Sequence, residues 1–287
     1  MPNISTVTGF LLLGFSEVRE LQLVHAALFL LVYLAALTGN QLIVAVTTLD
    51  RHLHTPMYFF LRHLSVLDLC LISVIVPQSI HNSLTDRRSI SFLGSVTQVS
   101  LVVFFASAEY FILTVMSYDL YAAICLPLRY EVVMSRVACG KMVTASWLGG
   151  GLFGVLFSAS TFSLSFCGSN VIQQFFCDVP SLLKITCSED HVAINVSIPA
   201  AVLLAVICFI LIIVSYTRIF RTVLRMPPAE GRAKAFSTCL PHLVVVTLFL
   251  MTSFCAYLKP PSDSPSVLDL LVSMFYTVVP PSLNPLI

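Results

Sequence analysis

Residues 116–130 read MSYDLYAAICLPLRY, and they stand where an apolar stretch of helical length, residues 93–121, runs out into polar chain. A segment that is apolar for so long and then ends among Asp119, Tyr121 and Arg129 has the form of a helix leaving hydrocarbon for water. The rest of the composition agrees. Hydrophobic residues make up 57% of the chain and charged residues only 10%, and the mean hydropathy is +0.94, far from the averages of water-soluble domains. A net charge of +1 gives no reason to expect nucleic acid, which needs clustered Lys and Arg against its phosphates.

Working outward, the chain offers seven apolar windows, at residues 25–49, 57–79, 93–121, 142–164, 192–219, 236–258 and 267–287. Each is close to the roughly 20 residues that a helix needs to cross a bilayer. Helices are required because lipid offers no partner to backbone N–H and C=O groups. A barrel would show shorter alternating strands, and none is found. No two windows repeat one another, so the inverted repeats of many transporters gain no support. The expected fold class is an all-α membrane protein, a seven-transmembrane helix bundle in a single domain over residues 1–287, with residues 1–23 outside and 165–191 forming the second outer loop. No basic leader with a cleavage site precedes the first window, so that window is expected to serve as an uncleaved signal.

Lys and Arg are retained on the cytoplasmic side. With the amino terminus outside, ten basic residues fall at the inner face (Arg51, Arg62, Arg129, Arg136, Lys141, Arg218, Arg221, Arg225, Arg232, Lys234) and five outside (Arg19, Arg87, Arg88, Lys184, Lys259). The sequon Asn3-Ile4-Ser5 fits an outer terminus, because glycan addition needs the lumenal side. The expected location is therefore the plasma membrane, multi-pass, amino terminus extracellular.

The opening stretch closely resembles the inner end of the third helix of olfactory receptors, a branch of the rhodopsin-like G-protein-coupled receptors, whose pattern is M-A-Y-D-R-Y-V-A-I-C-x-P-L-x-Y. Further motifs follow in the family's order: Gly39-Asn40, LHTPMYFFLRHLSVLD from Leu53, SYTRIF from Ser215, KAFSTCLPHL from Lys234 and PSLNPLI from Pro281. The resemblance implies an odorant receptor that binds a small hydrophobic volatile ligand in the bundle and signals through a stimulatory olfactory heterotrimeric G protein. For coupling it points to Asp119, Leu120, Tyr121 and Tyr216. Leu120 stands where the family has the arginine used in switching, and leucine can neither make that ionic contact nor present a guanidinium. Weak or absent coupling is then expected, with Asp119 a solvated acid lacking its partner at the membrane edge.

The resemblance also implies a sodium or water-filled polar site at Asp68 and Glu109, with Asn40 and Asn284 nearby. Two carboxylates brought together in low dielectric need a cation or a proton, and both readings stay open. The ligand lining it implies is Val102, Val103, Ala106 and Ser107 from the third span, Leu203 and Leu204 from the fifth, and Leu250, Ser253, Phe254 and Tyr257 from the sixth. Leu250 replaces a tyrosine frequent in the family. Such a pocket holds its ligand by apolar burial and one or two hydrogen bonds.

Cys167, Cys177 and Cys187 share a loop that faces an oxidising compartment. The family joins the middle cysteine to one at the outer end of the third helix, and here ISFLGS puts Ser95 there. A Cys167–Cys187 bridge and a free Cys177 are expected, with the anchor between loop and bundle lost. The chain also stops at Ile287, just before the tyrosine that follows NPLI in the family, so an eighth helix and tail are expected to be absent.

No HExxH, GxSxG or P-loop is present, so no enzyme, cofactor or metal site beyond sodium is expected. His52, His54 and His242 are expected to contact a partner or cap helices. Two rival readings remain: a non-signalling, degenerate receptor, which surface immunostaining would separate, and a transporter, favoured only by the intramembrane acids and separable by substrate uptake.

Overall fold

In the computed structural model the described residues are 8–12, 18–85, 88–166, 170–172, 174–186, 192–225 and 230–258. They form β1 (Gly9–Leu12), α1 (Arg19–Leu49), α2 (Pro56–Thr85), β2 (Ser89–Ser91), α3 (Phe92–Cys125), α4 (Tyr130–Val133), α5 (Arg136–Phe162), β3 (Val171–Ile172), α6 (Val179–Leu183), α7 (Val192–Arg225) and α8 (Glu230–Leu258). Six of these helices, α1, α2, α3, α5, α7 and α8, are long and apolar enough to cross a membrane. They correspond to the first six windows. The seventh window, together with Asn3, Cys167, Cys187 and Asn284, lies outside the described residues.

Most of the helices extend beyond their windows at one end or both, since hydropathy changes at the edge of the hydrocarbon while the backbone ladder continues into water; α5 stops at Phe162, two residues short of its window. Ser91 and Ser135 cap α3 and α5, their hydroxyls accepting from Gly94 N–H (3.1 Å) and Ala138 N–H (3.4 Å). At the far end of α2 the Arg19 guanidinium donates to the carbonyls of Ser83 (2.9 Å) and Leu84 (2.6 Å), which have no partner within the helix. Inside the spans Thr38, Thr47, Thr217 and Thr247 return their hydroxyls to the carbonyl four residues back.

The third span is the pillar. α3 packs against α2, α5, α7 and α8 and touches β1, and it carries Ala108, Glu109, Ile112, Leu113 and Ala122 with no exposed surface. Against α5 the approach is close because Ser146, Gly150, Gly154 and Ser158 recur every fourth residue and are all buried. A Cβ on Gly150 would fall 2.7 Å from the Phe104 carbonyl oxygen, and one on Gly154 would fall 2.6 Å from that of Ser100. The Ser100 and Ser158 hydroxyls hydrogen-bond across the same seam.

A three-stranded sheet, which the windows do not predict, covers one end. β1 runs antiparallel to β2, with Phe10 opposite Ile90, and parallel to β3, with Leu12 opposite Ile172. Phe10, Leu12, Ile90, Val99, Ile172, Cys177, Val179 and Leu182 make a second core under it. The sheet gathers the amino-terminal segment, the loop between the second and third spans and the loop between the fourth and fifth. An alternating path through a bilayer puts those three segments on one side.

Replacing Gly150 with Val should therefore push α3 and α5 apart and destabilise the bundle by about 1–3 kcal/mol, while Gly140→Ala, where a Cβ meets nothing within 4 Å, should change little. Thermal unfolding in detergent compares the two, and equal melting temperatures would contradict the packing described.

Candidate functional site

At the sheet-covered end, Ser95 and Cys177 meet. Both are buried, Cys177 is a free thiol, and its sulfur faces the Ser95 hydroxyl. Burial pushes this thiol up to about 12, so it stays protonated at neutral pH and is a poor nucleophile. A non-covalent clamp ties loop to bundle here. The Cys177 N–H donates to Gln98 Oε1 at 2.8 Å, and the Gln98 amide nitrogen donates to the Val74 carbonyl at 3.2 Å. Gln98 thereby joins the loop, α3 and α2. The bridge Phe166↔Thr186 closes the loop one residue before Cys167 and Cys187, which are outside the described residues.

Below this end lies the predicted ligand lining. Val102 is buried, and Val103, Ala106, Ser107, Leu204 and Leu250 are half-buried. Leu203 departs from expectation. It is 63% exposed, because one residue of helix is a turn of about 100° and places it on the outer face of α7 while Leu204 turns inward. Ser253, Phe254 and Tyr257 fall on α8, but their side chains are outside what is described. One turn inward from Ala106 and Ser107, the three helices converge on Tyr110. Its hydroxyl donates to the Ala205 carbonyl of α7 at 3.0 Å, and its ring stacks on Phe249 of α8 at 5.7 Å and 6°. Tyr110 was not among the predicted residues, although an aromatic directly after a buried acid on the central span was the available signal.

Next to Tyr110 in the chain stands Glu109, and Asn40, Asp68 and Glu109 have no exposed surface. They belong to α1, α2 and α3, three helices that pack in sequence. The Asn40 amide nitrogen donates to the Ala36 carbonyl at 3.0 Å.

The end opposite the sheet differs most from expectation. Asp119 is not a solvated acid. It is 2% exposed and accepts a hydrogen bond from the Tyr130 hydroxyl at 2.8 Å. The 3-10 turn Pro127–Arg129 reverses the chain and swings α4 beneath α3, so Tyr130 supplies the donor that no arginine supplies here. Beside the carboxylate, Tyr130 is itself raised above the usual phenol range, by burial first and by the Asp119 charge second. Leu120 is buried within the main core, and Tyr121 packs half-buried against it. Tyr216 is also buried. Its hydroxyl lies 2.6 Å from His242 Nδ1, with the rings stacked 6.0 Å apart. His242 is 1% exposed and so neither caps a helix nor meets a partner, contrary to expectation. Leu128, by contrast, is 100% exposed and Val132 80% exposed, a pair of apolar side chains four residues apart at the water-facing end. Sequence reading passes over them because the motif is written around its charged residues.

The Ser95–Cys177 juxtaposition carries a direct test. Ser95→Cys should form a disulfide with Cys177 under mild oxidation and stabilise the fold by about 2–5 kcal/mol. Alkylation after unfolding reads the outcome. Loss of Cys177 labelling with a raised melting temperature is expected, and a Cys177 that still labels would contradict the placement.

A family model for olfactory receptors matches residues 29–287. Human olfactory receptor 14A16 is 56% identical over 287 residues, spanning 100% of this chain and 93% of the relative. Human olfactory receptor 14A2 is 55% identical over 285 residues, spanning 99% and 91%. Gorilla olfactory receptor 1G1 is 43% identical over 285 residues, again spanning 99% and 91%. With its membrane-crossing helices and this likeness over essentially its full length, the chain belongs to the olfactory receptor family, a multi-pass plasma-membrane receptor of the seven-helix, G-protein-coupled class and not an enzyme.

Proposed function

We propose that this receptor, its amino terminus outside the cell, binds a small, volatile, weakly polar odorant between α3, α7 and α8. It passes the signal to a stimulatory heterotrimeric G protein at the inner face, with lowered coupling. The observation that carries the reading is Tyr110, which joins those three helices one turn inward from a lining of apolar side chains and the Ser107 hydroxyl. A ligand burying about 200 Å2 there gains about 5 kcal/mol at about 25 cal/mol per Å2. A hydrogen bond adds about 1 kcal/mol, so shape sets affinity and the hydroxyl sets orientation. Leu128 and Val132 present the apolar contact for the G protein. Leu120 leaves the inner end without the guanidinium that would strengthen it, and the Tyr130–Asp119 bond holds the acid in place instead.

Asp68 and Glu109, fully buried with Asn40, supply the oxygen donors that sodium takes. Sodium replacing a large organic cation should raise the melting temperature of the unchanged chain and not of Asp68→Asn. Equal response in both would leave a neutral, proton-sharing pair as the reading.

The function itself is tested by cAMP accumulation in cells expressing each variant, screened against a panel of small volatiles. Leu120→Arg should enlarge the maximal response about tenfold while leaving the half-maximal concentration within about threefold, since it changes coupling and not binding. Ala106→Phe should remove the response by filling the lining. Robust, equal responses from all three chains would refute the reading.

A further inference from the structure

The outward face of α7 changes character along its length. Leu203, Ile207, Ile210, Leu211 and Val214 are all exposed and share one face of the helix. Arg218, Arg221 and Arg225 continue the same face inward at i, i+3 and i+7, and all three are exposed. The opposite face carries Ile212, Tyr216, Ile219 and Val223, each buried against the bundle. The arginines therefore point sideways out of the bundle, where the apolar face of the helix gives way to charge, and away from the bundle core.

Among the described residues nothing neutralises them. α7 contains no Asp or Glu, and among the described residues no carboxylate pairs with any of the three guanidinium groups. Arg232 fixes the end of the ridge, donating to the Leu224 carbonyl at 2.8 Å. From Arg218 to Arg225 the helix advances about 10 Å, so the ridge reaches from the phosphate layer well into the water. A serine headgroup, with one phosphodiester at the membrane surface, meets its upper end only. A headgroup that carries further phosphates beyond the surface meets all of it, and the planar arginine fork suits their oxygens.

We propose that this ridge is a binding site for a polyphosphoinositide, its acyl chains against Ile207 to Val214 and its inositol phosphates on Arg218, Arg221 and Arg225. The leaflet concerned rests on the orientation proposed above, but the chemistry does not. In nanodiscs, where both leaflets carry the same lipids, the site is tested whichever way the chain faces.

The full chain is placed in phosphatidylcholine discs doped, at equal added charge, with phosphatidylserine or phosphatidylinositol bisphosphate, and retained lipids are counted by native mass spectrometry. The unchanged chain should retain the bisphosphate lipid about tenfold over phosphatidylserine, and the R218Q/R221Q/R225Q variant should lose that preference. The R129Q/R136Q/K141Q variant, with the same loss of charge elsewhere, should keep it. Melting temperatures in plain phosphatidylcholine check folding. If the triple variant is unstable there, the three single variants replace it, each expected to lose about threefold. Equal retention of both lipids, equal loss in both triple variants, or no loss in any single variant overturns the proposal.

Discussion

Hydrocarbon gives a backbone amide nothing to bond with, and every feature of this molecule answers to that. The spans are long helices because only a helix closes its own hydrogen bonds. Where a ladder ends, a side chain takes over: Ser91 and Ser135 at helix starts, Arg19 at the far end of α2. The same constraint explains why polar residues within the spans turn inward or bond to their own helix, as Thr38, Thr47 and Thr217 do. With no hydrophobic drive between helices in lipid, close packing must hold the bundle together, and the Gly150–Gly154 seam lets α5 lie directly on the backbone of α3.

α3 then connects everything functional. At its sheet-covered end Gln98 holds the loop that covers the bundle, at its middle Tyr110 gathers α7 and α8, and at its opposite end Asp119 takes its donor from Tyr130. Three positions that depart from the family pattern quoted for the resemblance lie on the same pillar or beside it. Ser95 stands buried beside Cys177 in the loop that Gln98 holds by hydrogen bonds, Leu120 is buried in apolar packing, and Leu250 puts an aliphatic side chain next to Phe249, on which Tyr110 stacks.

Much of this was legible from residues alone, and the limits are physical. Helical spans announce themselves because about 20 apolar residues in a row seldom occur outside a helix that crosses a bilayer, and the motif around Asp119 places the third span's inner end to within a few residues. The sheet was not legible: strands of four, three and two residues have no periodicity to read, and their pairing depends on three distant segments meeting. Asp119 was misjudged because its partner returns through a tight turn, so that removing the arginine does not leave the acid in water. Leu203 and Leu204 are the same residue type one position apart, and only the rotation of α7 decides which faces inward. Leu128 carries no charge and so gives no signal within the motif, yet it is fully exposed at the end of the bundle opposite the sheet.

The central claim is a chain that crosses the bilayer an odd number of times with its sheet-covered end outside. Antibody access to epitope tags at the two termini tests it most directly in intact and permeabilised cells. The account predicts an amino-terminal tag stained on intact cells and a carboxyl-terminal tag stained only after permeabilisation. Both tags stained on intact cells, or the reverse pattern, would contradict it.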